Sequence, residues 1–224
     1  SDIAALFDGV PLDEVDATYA GHDASMALNA MYIVNAERRG IPQHKLRLKG
    51  CNPLLRQYFW DSHGFPPRHG IKMMVDHIKY CIEFMPLTKG QSVTSYNTGE
   101  AGANPIQELG FTLATAIAIT EECLRAGLDP DDVARQFYSH VHVGMDFFEE
   151  VAKFRAWRRL WAKTFSERFG CKKPESLSLR YVPQTAGSFL TAQEPLNNIV
   201  RATLMTLAGV LAGVDAIWTA SYDE

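Results

Sequence analysis

Six short clusters in the chain hold the residue types that chemistry uses. They are Gly21-His22-Asp23, Gly50-Cys51-Asn52, Ser95-Tyr96-Asn97-Thr98-Gly99-Glu100, His140-Val141-His142, Tyr181-Val182-Pro183-Gln184-Thr185-Ala186-Gly187 and Thr219-Ala220-Ser221-Tyr222-Asp223-Glu224. Most combine polar side chains with glycine or another small residue, a density that favours a ligand site over plain turns. His140 and His142 stand two apart, which on a strand points both to one face. That spacing suits two imidazoles on one metal, as in barrel hydrolases, or two hydrogen bonds to a substrate or a neighbouring loop. No further ligand group follows at metal spacing, so no metal is expected. Cys51 beside Asn52 offers a nucleophile, but no base is identifiable, and a lone cysteine is more often a buried apolar residue. The loop from Ser95 to Asn104 carries glycines without either glycine-rich phosphate-binding pattern, so a dinucleotide site has little support. Arg155, Arg158 and Arg159 interleave with Trp157 and Trp161. On a helix the two tryptophans share one face, which reads as a packing stripe with solvated arginines before it reads as a nucleic-acid surface.

The elements that must position these clusters alternate. Strand candidates are Val15–Ala20, Leu46–Gly50, Gln91–Tyr96, Phe137–His142, Leu177–Val182 and Asp215–Thr219. Their starts lie about 30–45 residues apart, too far for hairpins and right for strand–helix–strand crossovers in a parallel sheet. Helices are expected over Ala24–Arg39, from Pro53, over Ile71–Phe84, from Pro105 behind an Asn104 cap, over Pro130–Gln136 behind an Asp129 cap, from Asp146 to Arg168, and from Pro195 to Ala212. Gly40 and Gly127 stand where helices should stop. No linker and no internal repeat interrupts this order, so residues 1–224 are expected to form a single domain. Repeated βα units close into a barrel or spread as a doubly wound sheet, and in both the active site lies where the strands end. A full eight-stranded barrel takes about 250 residues. Six units here leave it two strands short.

Composition narrows the class. The chain has 224 residues, 46% hydrophobic and 21% charged, which is ordinary globular chemistry. Its formal net charge of −4 argues against a nucleic-acid partner. Cys51, Cys81, Cys123 and Cys171 form no CxxC pair and read as reduced thiols of a cytoplasmic protein. Apolar runs break well before the roughly 18 residues that span a bilayer. The N-terminus has no secretion-signal pattern, so no membrane association is expected.

Read together, several segments resemble the methylmalonyl-CoA mutase family in order along essentially the whole chain. They include Leu6-Phe7-Asp8-Gly9-Val10-Pro11-Leu12, Glu100-Ala101-Gly102-Ala103, Glu108-Leu109-Gly110-Phe111-Thr112-Leu113-Ala114 and Asp146-Phe147-Phe148-Glu149-Glu150-Val151-Ala152-Lys153-Phe154-Arg155-Ala156. Gln184-Thr185-Ala186-Gly187, Leu190-Thr191-Ala192-Gln193, Asn197-Asn198-Ile199-Val200-Arg201 and Ser221-Tyr222-Asp223-Glu224 continue the likeness. The resemblance implies a (β/α)8 TIM-type barrel threaded by an acyl-CoA, of which this chain carries only the third to eighth units. Adenosylcobalamin would cap the barrel and start a radical 1,2-rearrangement of the carbon skeleton. The cobalamin domain's DxHxxG motif is absent from the sequence, so a separate cobalamin-binding subunit is expected. A barrel two strands short, with exposed sheet edges, is expected to be completed by missing native sequence, a partner chain or association into a homo- or hetero-oligomer.

Residue by residue, the resemblance makes Tyr96 the active-site tyrosine that packs over the substrate, and places Gln184 and Glu224 towards the cofactor. Arg180 matches the family on the substrate side. The chain departs from the family elsewhere. Asn97 replaces the histidine that hydrogen-bonds the thioester carbonyl, Cys51 replaces a glutamine near the substrate, and His22 replaces an asparagine. Asp61 stands where an arginine binds the substrate carboxylate, and a carboxylate there repels that group. These changes imply either an isomerase acting on a different acyl-CoA or a non-catalytic subunit of such a mutase.

Overall fold

Parallel strand pairing organises the chain. The structure is a computed structural model that describes residues 2–21, 24–51 and 66–223, with the last two residues of each of the first two strands described by backbone alone. β1 (Asp16–Ala20) pairs in parallel with β2 (Arg47–Cys51), residue 16 against 47. A second sheet runs in the order β3 (Gln91–Thr94), β4 (Phe137–Val143), β5 (Arg180–Thr185), with β4 and β5 parallel and His142 opposite Gln184. Helices connect the strands: α1 (Asp2–Leu6), α2 (Ser25–Arg38), α3 (Pro67–Phe84), α4 (Tyr96–Glu100), α5 (Pro105–Arg125), α6 (Pro130–Ala134), α7 (Phe147–Glu167), α8 (Pro174–Leu177) and α9 (Asn197–Leu211). The architecture is α/β with short parallel sheets. Packing divides it into two compact units, Ser1–Ser92 with Ala118–Phe137, and Val93–Ile117 with Tyr138–Glu224.

Local chemistry explains the helix ends. The Asn104 carboxamide accepts from the Gln107 N–H while Gln107 returns a bond to the Asn104 N–H, a reciprocal cap at the start of α5. The Asp129 carboxylate accepts from the N–H groups of Asp131 and Asp132, and Pro130 opens α6. Gly40 and Gly127 follow α2 and α5 with φ of 72° and 84°, a conformation costly for other residues. Pro67 opens α3 one turn before the expected Ile71, because a proline at the first helical position loses no intrahelical bond.

Three expected strand boundaries are corrected. The strand expected over Gln91–Tyr96 stops at Thr94, since Ser95 turns into the helical region and its carbonyl accepts from the Gly99 N–H and the Thr98 hydroxyl. The one expected over Leu177–Val182 starts at Arg180 instead. Pro174 initiates α8 there, and the Trp161 indole N–H bonds the Ser176 carbonyl at 3.0 Å. The sixth, Asp215–Thr219, is not a strand but a single parallel bridge between Trp218 and Gln184. Its cause is chemical: the Asp215 carboxylate, not a backbone carbonyl, takes the Tyr181 N–H at 2.8 Å. The helix expected from Pro53 lies outside the described residues.

In the first unit, Leu12, Tyr32, Ala36, Leu46 and Leu48 form a core from which water is excluded. His77 on α3 is half-buried in the same unit. Asn29 donates to its Nε2 at 2.7 Å and Cys81 Sγ lies 3.5 Å away. Burial pushes the His77 imidazole down to about 4, against a weaker opposing backbone bond at Gly90. In the second unit Trp157 and Trp161 of α7 are buried, as the packing-stripe reading requires. Phe154 and Trp157 meet the Tyr181 ring edge-on, each at 5.9 Å. Arg158 donates to the carbonyls of Ala212 and Gly213, closing the C-terminal end of α9.

A half-buried His77 that resists protonation makes stability pH-dependent. Because its folded value lies below its ordinary one, its contribution is complete above about 6.5 and is lost as pH falls towards 4. Urea unfolding at pH 7 and pH 5 should therefore differ by on the order of 2 kcal/mol through this group. His77→Gln should flatten that slope. An unchanged slope in the variant would locate the proton uptake elsewhere.

Candidate functional site

The second sheet ends in a polar face. β4 brings His140 and His142 to the same side, and α4, following β3 directly, lays the Tyr96 ring over them. Tyr96 stacks on His140 at 5.5 Å with planes 9° apart, and its centroid lies 6.2 Å from that of His142. Trp218 meets His140 edge-on at 5.2 Å, and Phe189 lies 6.1 Å from His142. Close approach depends on Gly99. A Cβ built there would fall 2.5 Å from His142 Cγ, so any side chain would displace the imidazole or α4.

Behind the rings lies a buried charged network. Lys153 of α7 has a fully buried side chain and approaches Glu108 of α5 at 3.3 Å and Glu150 at 2.7 Å. It donates to the His142 carbonyl at 2.7 Å, and Glu108 accepts the Ser95 hydroxyl at 3.0 Å. Burial raises the Glu150 carboxyl above the ordinary carboxylate range, with Lys153 opposing. The His142 ring sits between carboxylates, Nδ1 at 3.5 Å from Glu108 and Nε2 at 3.4 Å from Glu100. Glu100 then reaches forward and accepts the N–H groups of Gly187 and Ser188 at 3.0 and 2.9 Å. Among the described residues no three His, Cys, Asp or Glu side chains form a metal-binding group. Cys81 and Cys123 are buried thiols pushed up to about 12 by burial, and therefore not nucleophiles.

The expected site residues divide three ways. Tyr96 and Asn97 are half-buried on α4, and Gln184 is half-buried at the end of β5, in register with His142. Arg180 is at the opposite end of β5, exposed, and 3.8 Å from Asp215. His22, Asp61, Glu224 and the Cys51 side chain lie outside the described residues. The sequence reading gave no role to Glu108, Lys153 and Glu150. Their signal was partial: Glu150 and Lys153 are charged residues on the α7 face that also buries Phe154, Trp157 and Trp161.

The family model described as "Methylmalonyl-CoA mutase" matches residues 1–224. The chain belongs to the methylmalonyl-CoA mutase family. Over all 224 residues it is 38% identical to "Methylmalonyl-CoA mutase" of Escherichia coli (strain K12), covering 31% of that protein. It is 37% identical to "Methylmalonyl-CoA mutase, mitochondrial" of Homo sapiens, covering 30%, and 36% identical to the Rhizobium meliloti (strain 1021) enzyme, covering 31%. This family member thus spans less than a third of the length of the curated relatives it matches. No described helix is long and apolar enough to cross a membrane.

Removing one partner from a buried ion pair leaves the other uncompensated. In this mutase-family chain Lys153→Met is expected to cost about 3–5 kcal/mol in chemical unfolding. The double variant with Glu108→Gln should cost less than the sum of the singles by about 1–3 kcal/mol. Strict additivity would show that the two side chains do not interact.

Proposed function

We propose that this chain is the acyl-CoA-binding part of an adenosylcobalamin-dependent isomerase that rearranges the carbon skeleton of a CoA thioester. The reading rests on the family match over the whole chain, taken with the face at the strand ends where Tyr96, His140, His142 and Gln184 gather. Eight-stranded barrel closure belongs to this reading, with the units beyond these five strands supplied by other sequence or by a partner. An exposed apolar stripe on α9, including Ile199, Val200, Leu204 and Leu207, supports completion by further protein.

The face fits the cofactor chemically. Trp218 and Phe189 present partly exposed rings, 47% and 40% accessible, that a flat macrocycle or a nucleoside base would cover. Gln184 and Glu224 would hold the cofactor on that side. When bound, adenosylcobalamin supplies the organic radical that the rearrangement needs. The chain's own side chains bind and orient the substrate and exclude water. Tyr96 packs over the acyl group, and the Asn97 carboxamide donates to the thioester carbonyl, a hydrogen bond without the acid strength of histidine. Arg180 lies four residues from Gln184 at the opposite end of β5, about 13 Å at the usual strand rise, which suits the CoA portion. Cys51, His22 and Asp61 complete the acyl pocket. A separate cobalamin-binding subunit or domain would hold the rest of the cofactor.

The substrate in this reading is an acyl-CoA without a free carboxylate, or one with a hydroxyl or cationic group, because Asp61 stands where a carboxylate clamp is expected. The replacements at Asn97, Cys51 and Asp61 also favour a second reading, a non-catalytic subunit of a mutase. Asp61→Arg separates the two. Restored charge complementarity should strengthen succinyl-CoA binding about tenfold or more in calorimetry. No change would remove Asp61 from the acyl pocket and move the assignment to the non-catalytic subunit.

A further inference from the structure

We propose that Glu100 is a positioning residue that latches the loop after β5 against the Tyr96 face, with His142 wedged behind it. The inference rests on the mutase reading for its effect on turnover, but the latch itself is a matter of geometry. Tyr96 and Glu100 are the first and last residues of α4, four apart, so a single helical turn carries both on one side. The carboxylate accepts two consecutive backbone N–H groups, Gly187 at 3.0 Å and Ser188 at 2.9 Å, one on each oxygen. Such charge-assisted bonds are roughly twice as strong as neutral ones. A Cβ at Gly187 would lie 3.7 Å from Glu100 Oε2 and 3.8 Å from the Tyr96 hydroxyl, which places this backbone in contact range of both.

The latch has a rigid back. Glu100 is 24% exposed, whereas the His142 side chain behind it is 6% exposed and Glu108 beyond that 1%. His142 therefore fills the space into which Glu100 would otherwise retreat, and Gly99 allows this contact. A second anchor holds the far end of the loop. Phe189 rests on Gly144, where a Cβ would meet its ring at 3.1 Å. With β5 ending at Thr185 and the anchors acting at Gly187, Ser188 and Phe189, this loop has little freedom, so Glu100 sets its position relative to Tyr96. Its action on the reaction runs through that loop.

The test uses the purified protein with Glu100→Ala and Glu100→Gln. Exchange of the Gly187 and Ser188 amides should rise about tenfold or more in Glu100→Ala, while the Ser95 amide, bonded to the His140 carbonyl at 2.9 Å, stays unchanged. In the complete assembly, with the cobalamin-binding subunit or domain, adenosylcobalamin and acyl-CoA substrate present, kcat should fall about tenfold with KM within about twofold of the parent. Glu100→Gln keeps one acceptor oxygen and should restore part of both readouts, and it carries the test should the alanine variant not fold. Unchanged amide exchange overturns the latch. Faster exchange with an unchanged kcat, or a loss confined to KM, overturns the positioning role. A parent protein that binds no CoA ester in calorimetry contradicts the mutase reading, and the exchange arm then still decides the latch.

Discussion

A lysine with no exposed side-chain surface needs partners, because an isolated buried charge is far costlier than any single packing contact offsets. Lys153 meets that constraint with Glu108, Glu150 and the His142 carbonyl. These partners come from a second helix, from its own helix one turn back, and from the end of a strand. Satisfying one ammonium therefore fixes α5, α7 and the last residues of β4 with respect to one another. Ser95 joins through its bond to Glu108, which draws in the end of β3. The strand ends on which the candidate chemistry sits are anchored by a polar network, not by apolar packing alone.

That network grades from buried to open. Lys153 and Glu108 are sealed, His142 lies in front of Glu108, and Glu100 stands at the margin with its carboxylate on two loop amides. Charged and polar groups thus run from the core to the face bearing Tyr96 through side chains already held in place. Preorganisation of this kind is what radical chemistry on a CoA thioester would require of the protein: defined orientation and exclusion of water. Tyr96 and the histidines of β4 form the aromatic layer above it.

Much of the fold was legible because its signals are local. Asn104 and Asp129 cap helices through bonds to residues two or three positions on, and Gly40 and Gly127 end helices through their own backbone freedom. The strand spacing correctly indicated parallel pairing, which no short connection can make. What failed depended on distant partners. The start of β5 was misplaced because Pro174 and the Trp161–Ser176 bond commit Leu177 to a helical turn. The sixth strand was misread because Asp215 substitutes its side chain for a backbone acceptor. The resemblance pointed to Tyr96 and Gln184 and strand alternation to His140 and His142, and the structure places Tyr96 against both histidines and Gln184 in register with His142. Glu108 and Lys153 are 45 residues apart, and nothing in local pattern announces that they meet.

The central claim is that this family member holds a CoA ester on the face bearing Tyr96, and that its acyl pocket does not favour a free carboxylate. Native mass spectrometry of the purified protein tests it most directly, with CoA esters of neutral, hydroxylated, cationic and carboxylated acyl groups in competition. The expected result is retention of a CoA ester, with succinyl-CoA displaced by a neutral, hydroxylated or cationic rival. Preferential retention of succinyl-CoA, or of no CoA ester by a well-folded assembly, would contradict it.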